Sequence, residues 1–246
     1  VVCGPDPRDV STLRAPGQLG TFVAQTQRRV RGLTLGIDEH ELRDADLEVV
    51  RAVEQSIKAI ETCGVRLVDV RLPLASAAFS IGSVTITAET RAAEACDFER
   101  HGAAFGYDLQ VLMALNAQLS ASDYLRAQKL RQRLRREAAR VFSEVDALAL
   151  PTTMSTALPV GTSEERYGRI DARATRQMCR HTFFANLVGL PAGSAPIGVD
   201  SEGLPIGLQL VADAWDEGTV IALMAELSRL GVARSARPPY HVELLA

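Results

Sequence analysis

Asn186-Leu-Val-Gly-Leu-Pro191, then Gly203-Leu-Pro-Ile-Gly-Leu-Gln-Leu210, then Asp216-Glu217, punctuate the chain more strongly than any other stretch. Glycine at 189 opens backbone angles closed to other residues, and Pro191 blocks helix continuation, so the first segment reads as a helix-to-strand corner. A strand over 192–197 follows. Asp200-Ser-Glu-Gly203 then suits a hairpin turn with Gly203 at positive φ, returning a second strand over 207–212. A last helix is expected from Asp216 to Leu230, closed by Gly231.

Upstream, Asp146-Ala-Leu-Ala-Leu150 reads as a strand ended by Pro151-Thr152-Thr153, since proline donates no ladder hydrogen bond. The helix before it, over 122–143, carries its core stripe on Ala127, Leu130, Leu134, Ala138 and Val141. Nearer the start, Leu33-Thr-Leu-Gly-Ile37 is an apolar strand, ended by Asp38-Glu39-His40-Glu41, which reads as a solvated strand end. A helix follows, with Asp44 as its cap, Val50, Val53, Ile57 and Ile60 as its buried stripe, and Gly64 as its stop. Val65-Arg-Leu-Val-Asp-Val70 then alternates as a strand. Strand, helix, strand is a βαβ unit, which implies parallel pairing. Further helices are expected over 86–97, 109–119 and 174–187, and a loop over 155–172 marked by Pro159, Gly161 and Gly168. The fold class is α/β, with a mixed, mostly parallel sheet flanked by helices.

Composition narrows the function classes. The 246 residues are 47% hydrophobic and 23% charged with a formal net charge of -3, values typical of a globular domain without a general pull toward polyanions. No apolar run is long enough for a membrane span and no signal segment opens the chain, so neither a membrane nor secretion is expected. Cys3, Cys63, Cys96 and Cys179 lack metal or redox spacing and read as reduced thiols in a cytoplasmic protein. Histidines stand apart at 40, 101, 181 and 241, so no metal or other cofactor is expected. Arg126, Lys129, Arg133, Arg136 and Arg140 form a basic stripe at helical spacing. Without interleaved aromatics it reads as a solvated face, and no nucleic-acid partner is expected.

The corner, the hairpin and Asp216-Glu217 closely resemble the C-terminal part of the amidase signature family. Gly4-Pro-Asp-Pro-Arg-Asp9, Leu35-Gly-Ile-Asp38, Tyr124-Leu-Arg-Ala127 and the segment from Asp146 to Thr153 match it in the same order. The resemblance implies a serine hydrolase of carboxamides and one incomplete domain over residues 1–246. It also implies a pocket wall built from Thr152, Thr153, His181 and Phe183 as substrate-binding residues. Such chemistry needs a serine nucleophile, a second serine in a Gly/Ser-rich loop that cradles the oxyanion, and a lysine base. The chain contains neither a Gly-Gly nor a Ser-Ser dipeptide, and its lysines are Lys58 and Lys129 alone.

No catalytic residue is therefore assigned. The expectation is a C-terminal half that is inactive by itself, whose substrate in the intact enzyme is a small amide. Val1-Val2-Cys3 reads as the tail of an upstream helix, and the resemblance implies an N-terminal catalytic half as a partner, with a homodimer as a further option. Two other readings stand beside it: a non-catalytic binding or scaffold protein retaining the fold, and a fragment of the A-type chain of a tRNA-dependent amidotransferase.

Overall fold

Two apolar periods, two residues and three-to-four residues, alternate along the chain and sort it into strands and helices. The computed structural model describes residues 5–15, 22–158 and 172–234. The turn at Gly4 and the markers Pro159, Gly161 and Gly168 lie outside the described residues, as does Val1-Val2-Cys3.

After a short helix α1 (Phe22–Gln25), the strand β1 (Thr34–Ile37) leads into α2 (Glu39–Arg43), α3 (Leu47–Glu61) and β2 (Arg66–Asp69). Three helices follow, α4 (Ala78–His101), α5 (Tyr107–Asn116) and α6 (Ala121–Phe142), and then β3 (Ala147–Pro151). The last elements described are α7 (Ala172–Val188), the hairpin β4 (Ala192–Val199) and β5 (Pro205–Ala212), and α8 (Glu217–Arg229). The five strands are ordered β2-β1-β3-β5-β4. β1 pairs parallel with β2 and β3, while β5 runs antiparallel between β3 and β4. Four strands thus share one direction and β5 opposes them, giving the expected α/β class with its mixed sheet.

β3 shows why the sheet must be covered on both sides. Every one of its residues is buried, and alternate residues enter different cores. Ala147 and Ala149 join Val53, Ile57 and Ile60 of α3 and Leu223 of α8 on one face. Leu148 and Leu150 join Leu134, Ala138 and Val141 of α6 and Phe184 of α7 on the other. A strand buried on both faces reads as a continuous apolar run, as Ala-Leu-Ala-Leu does.

The corner and the hairpin take the form their residues require. At the end of α7, Gly189 has φ +74 and donates to the Ala185 carbonyl at 2.9 Å. In the hairpin turn Gly203 has φ +82, and Asp200 Oδ1 accepts from the backbone N–H groups of Glu202 and Leu204 at 2.9 and 2.8 Å.

Two local expectations are corrected. Asp38–Glu41 is only half a solvated strand end: Glu39 and His40 are exposed, whereas Asp38 is 3% and Glu41 2% exposed. Asp38 caps α2, accepting from His40 N at 3.0 Å, and also takes the Leu72 N–H at 2.8 Å. Nor does Asp44 cap α3. It terminates α2, and Asp46 holds the cap position without a side-chain hydrogen bond. α2 exists because Asp38 nucleates an extra turn where a plain loop was expected.

A Cβ at Gly189 would meet nothing within 4 Å, so the Gly189→Ala cost is purely conformational. Chemical denaturation should show a loss of roughly 1–2 kcal/mol for that variant. Leu148→Ala, at a residue 0% exposed, should lose about 2–5 kcal/mol in the same measurement.

Candidate functional site

α7 presents two faces to two different environments, and this divides the expected site residues. His181 and Phe183 are two residues apart on a helix, so they point to nearly opposite sides. His181 turns toward the end of the sheet, where α2 and the Pro-Thr segment lie. Phe183 turns toward α4.

On the sheet side a buried ion network ties α7 to α2. Arg180 is 1% exposed, and its Nη2 donates to both carboxylate oxygens of Glu41 at 2.9 Å. The guanidinium also pairs with Asp44. His181 is 2% exposed, with Nε2 standing 3.7 Å from Glu41 Oε2. Neither of its ring nitrogens has a hydrogen-bond partner among the described residues. Burial, reinforced by the adjacent Arg180 charge, pushes its pKa down to about 4. Burial likewise raises the Glu41 carboxyl, against the opposing pull of Arg180.

Thr152 and Thr153 leave the end of β3 beside this network. Thr152 N donates to the Gly207 carbonyl at 2.9 Å, and its hydroxyl lies 2.6 Å from the Ser194 hydroxyl of β4. A Cβ on Gly207 would press on both hydroxyls, so glycine there leaves room for the pair. Thr153 Oγ1 donates to the Ser155 carbonyl at 2.6 Å. The segment is pinned from two further sides: Met154 N donates to Gln177 O at 2.9 Å, and Met154 O accepts from Asp46 N at 2.7 Å. Gln209 Nε2 of β5 donates to the His181 carbonyl at 3.2 Å, closing the link between the sheet and α7.

Phe183 belongs to a separate cleft of about 470 Å³ between α4, α6 and α7. Its ring packs edge-to-face on Phe79 at 5.5 Å and over Gly82, where a Cβ would collide with it. Ile86, Cys179, Thr182 and Asn186 complete much of the lining. Three of the four expected residues, Thr152, Thr153 and His181, therefore gather at the end of β3, and Phe183 stands apart.

The family model for Amidase matches residues 1–221. The chain belongs to the amidase family. It is 36% identical over 172 residues to a fatty acid amide hydrolase of Arabidopsis thaliana, covering 68% of this chain and 28% of that protein. It is 31% identical over 269 residues to the A-type chain of glutamyl-tRNA(Gln) amidotransferase from Granulibacter bethesdensis, covering 99% and 52%. Among solved structures, the corresponding amidotransferase chain from Thermotoga maritima superposes with a TM-score of 0.69 at 25% identity, covering 92% of this chain and 48% of that one. The chain thus spans about half the length, or less, of these amidase relatives.

Neither lysine of this amidase chain is enclosed: Lys58 on α3 and Lys129 on α6 are both exposed. Two residues at the site had no sequence signal. Glu41 and Arg180 are 139 positions apart, and no local period connects them. Ser194 was hidden inside a strand that reads as sheet filler.

The ion network makes two measurable demands. Arg180→Met strands a buried carboxylate and should cost about 3–5 kcal/mol, whereas Glu41→Leu combined with Arg180→Met should recover most of that loss in a double-mutant cycle. His181 has a folded pKa near 4 against an ordinary 6.5, so the unfolded chain binds more protons between those values. Its contribution is complete above pH 6.5 and is lost progressively as pH falls toward 4, to a total of about 3 kcal/mol. The raised Glu41 pKa acts with the opposite sign. His181→Phe should therefore flatten the acid decline in denaturation midpoints measured across that window.

Proposed function

We propose that this chain is the C-terminal half of an amidase-type serine hydrolase of carboxamides, and that it does not turn over alone. The observation that carries this reading is the exposure of Lys58 and Lys129 on outer helices. A lysine base must lose its proton near neutral pH, which requires burial or a cationic neighbour within an enclosed site. The lack of any Gly-Gly or Ser-Ser pair adds to it, since the oxyanion needs converging backbone N–H groups.

In the complete reaction a serine oxygen attacks the amide carbon and the C–N bond breaks. The amine departs with the serine's proton, and water then cleaves the acyl ester. This half supplies the sheet that supports the site and one wall of the pocket. Thr152, with its hydroxyl partner Ser194, and Phe183 in its cleft are proposed to meet the substrate. Thr153 and His181 hold that wall in place. The partner is an N-terminal catalytic half, which we place at β4. That strand is one of the two sheet edges, β2 being the other, and Ala192, Ser194, Pro196 and Gly198 along it are exposed. A small, uncharged edge strand of this kind can accept another strand.

A second reading, the A-type chain of a tRNA-dependent amidotransferase, is favoured by the 31% identity that runs over 99% of the chain. Glutamine as the preferred amide of the complemented enzyme would select it over a general amidase.

Ammonia release from simple amides tests both levels. The chain alone should not exceed buffer, and a separately made segment bearing the Gly/Ser-rich loop and lysine should restore activity. Turnover by the chain alone at ordinary enzymatic rates, about 1 s⁻¹ or more, would sink the proposal.

A further inference from the structure

The cleft between α4, α6 and α7 is largely apolar, but one cation, Arg131, is built into its wall. On α6, Tyr124, Gln128 and Arg131 fall four and three residues apart and so share one face of the helix. Arg131 is held from both sides. Its Nε donates to the Leu187 carbonyl of α7 at 2.7 Å, and its Nη1 to Gln128 Oε1 at 3.4 Å. Gln128 Nε2 in turn donates to Thr85 Oγ1 of α4 at 3.0 Å, and that hydroxyl donates to the Ile81 carbonyl at 2.8 Å. Leu187 and Thr85 line the cleft with Arg131, so the guanidinium lies across its α6 side, between the two other walls.

This ladder engages Nε and Nη1 with neutral groups only. Nη2 has no hydrogen-bond partner among the described residues and keeps contact with solvent. Among the described residues no carboxylate pairs with Arg131. Glu89, the acid in the same lining, is held instead by the Tyr124 hydroxyl, which donates to its Oε1 at 3.0 Å. Ile86 and Phe183 supply apolar surface beside the guanidinium. A fixed cation with an open N–H in an apolar groove suits a carboxylate carried on an apolar chain, through a charge-assisted hydrogen bond. Glu89 favours a single negative charge, because a dianion would be repelled from the same lining.

We propose that Arg131 makes the cleft selective for amides that carry a carboxylate at the far end of the group held there, such as monoamides of aliphatic dicarboxylic acids. The carboxylate accepts from Arg131 Nη2 and the methylene chain lies on Ile86 and Phe183, leaving the amide end free. This selectivity rests on the placement of substrate in the Phe183 cleft, and narrows it from amides in general to anionic ones.

The test follows binding to the full chain in backbone amide NMR spectra, with adipamate as the probe. Hexanamide, which ends in methyl, and the neutral methyl ester of adipamate are the controls. Adipamate should shift Ile86, Thr182 and Phe183 saturably. It should bind roughly 10–100-fold more tightly than either control, the factor expected for one hydrogen bond to a charged group. The preference should shrink as ionic strength rises, because only the adipamate contact is charged. Arg131→Met should make adipamate and hexanamide bind alike, whereas Arg131→Lys should keep part of the preference. Arg131 also ties α6 to α7, so a second variant leaves it in place. Ile86→Glu, at a position 56% exposed, puts an acid in the lining and should cost adipamate at least about tenfold while hexanamide changes little. Equal binding of adipamate and hexanamide would overturn the selectivity while leaving the cleft as a substrate wall. Saturable binding of neither at about 50 mM would overturn both. Ammonia release by the chain alone bears on the missing catalytic half and leaves this preference untouched.

Discussion

The Glu41–Arg180 pair is the constraint on which the geometry of the site rests. A guanidinium and a carboxylate that are 1% and 2% exposed can exist together only if each holds the other. Their fixed separation locks α2 to α7. α2 in turn depends on Asp38, whose carboxylate caps the helix and accepts from Leu72, so the loop leaving β2 is drawn into the same knot. The Pro-Thr segment is then held between them, with Met154 bonded to Gln177 on one side and Asp46 on the other. The pair thus helps set the angle at which α7 sits on the sheet, beside the packing of Phe184, Leu187 and Val188 in the core.

That angle decides what each face of α7 can do. The His181 face is enclosed by protein, and its neutral imidazole serves packing. The Phe183 face opens onto a cleft whose walls come from α4 and α6. One helix thereby couples the end of β3, where hydroxyls collect, to a largely apolar groove. Gly82 makes the coupling close, because any side chain there would displace the Phe183 ring. A site for amides needs both kinds of surface: polar groups to orient the amide and apolar volume for its substituents.

The fold was largely legible because its signals are local. Gly189, Gly203 and Gly231 each adopt the positive φ that their places in the sequence demand, and the stripe from Val50 to Ile60 is buried as its spacing requires. The βαβ order fixed the parallel pairing of β1 and β2. The candidate site was legible only in part. Thr152, Thr153 and His181 came through the family likeness and do converge. The groups that hold them, Glu41 and Arg180, are brought together by tertiary packing alone. The burial of Asp38 and Glu41 was not legible for the same reason: four polar residues in a row look solvated unless their distant partners are known, and only Glu39 and His40 are. α4 was read as starting at residue 86 rather than Ala78, since Ala, Gly and Ser in its first turns carry no apolar period and pack by being small.

The sheet itself bears on the chain's place in the amidase family. β3 is covered on both faces and paired on both edges, and so is chemically finished. β4 is covered on one face and lies at one edge of the sheet, where its side chains are small and the Pro196 carbonyl accepts from Arg234 N at 3.3 Å. Edge strands that face water permanently are usually blunted by lysine or other charges. β4 carries no charge along its length, its sequence being Ala-Gly-Ser-Ala-Pro-Ile-Gly-Val. The Thr152–Ser194 hydroxyl pair opens beside this same edge. A strand added along β4 would therefore bring its own loops to the polar end of the site. The proposed N-terminal half would bring its serine and oxyanion-binding backbone to that end, whereas the other edge strand, β2, lies on the far side of β1 and β3.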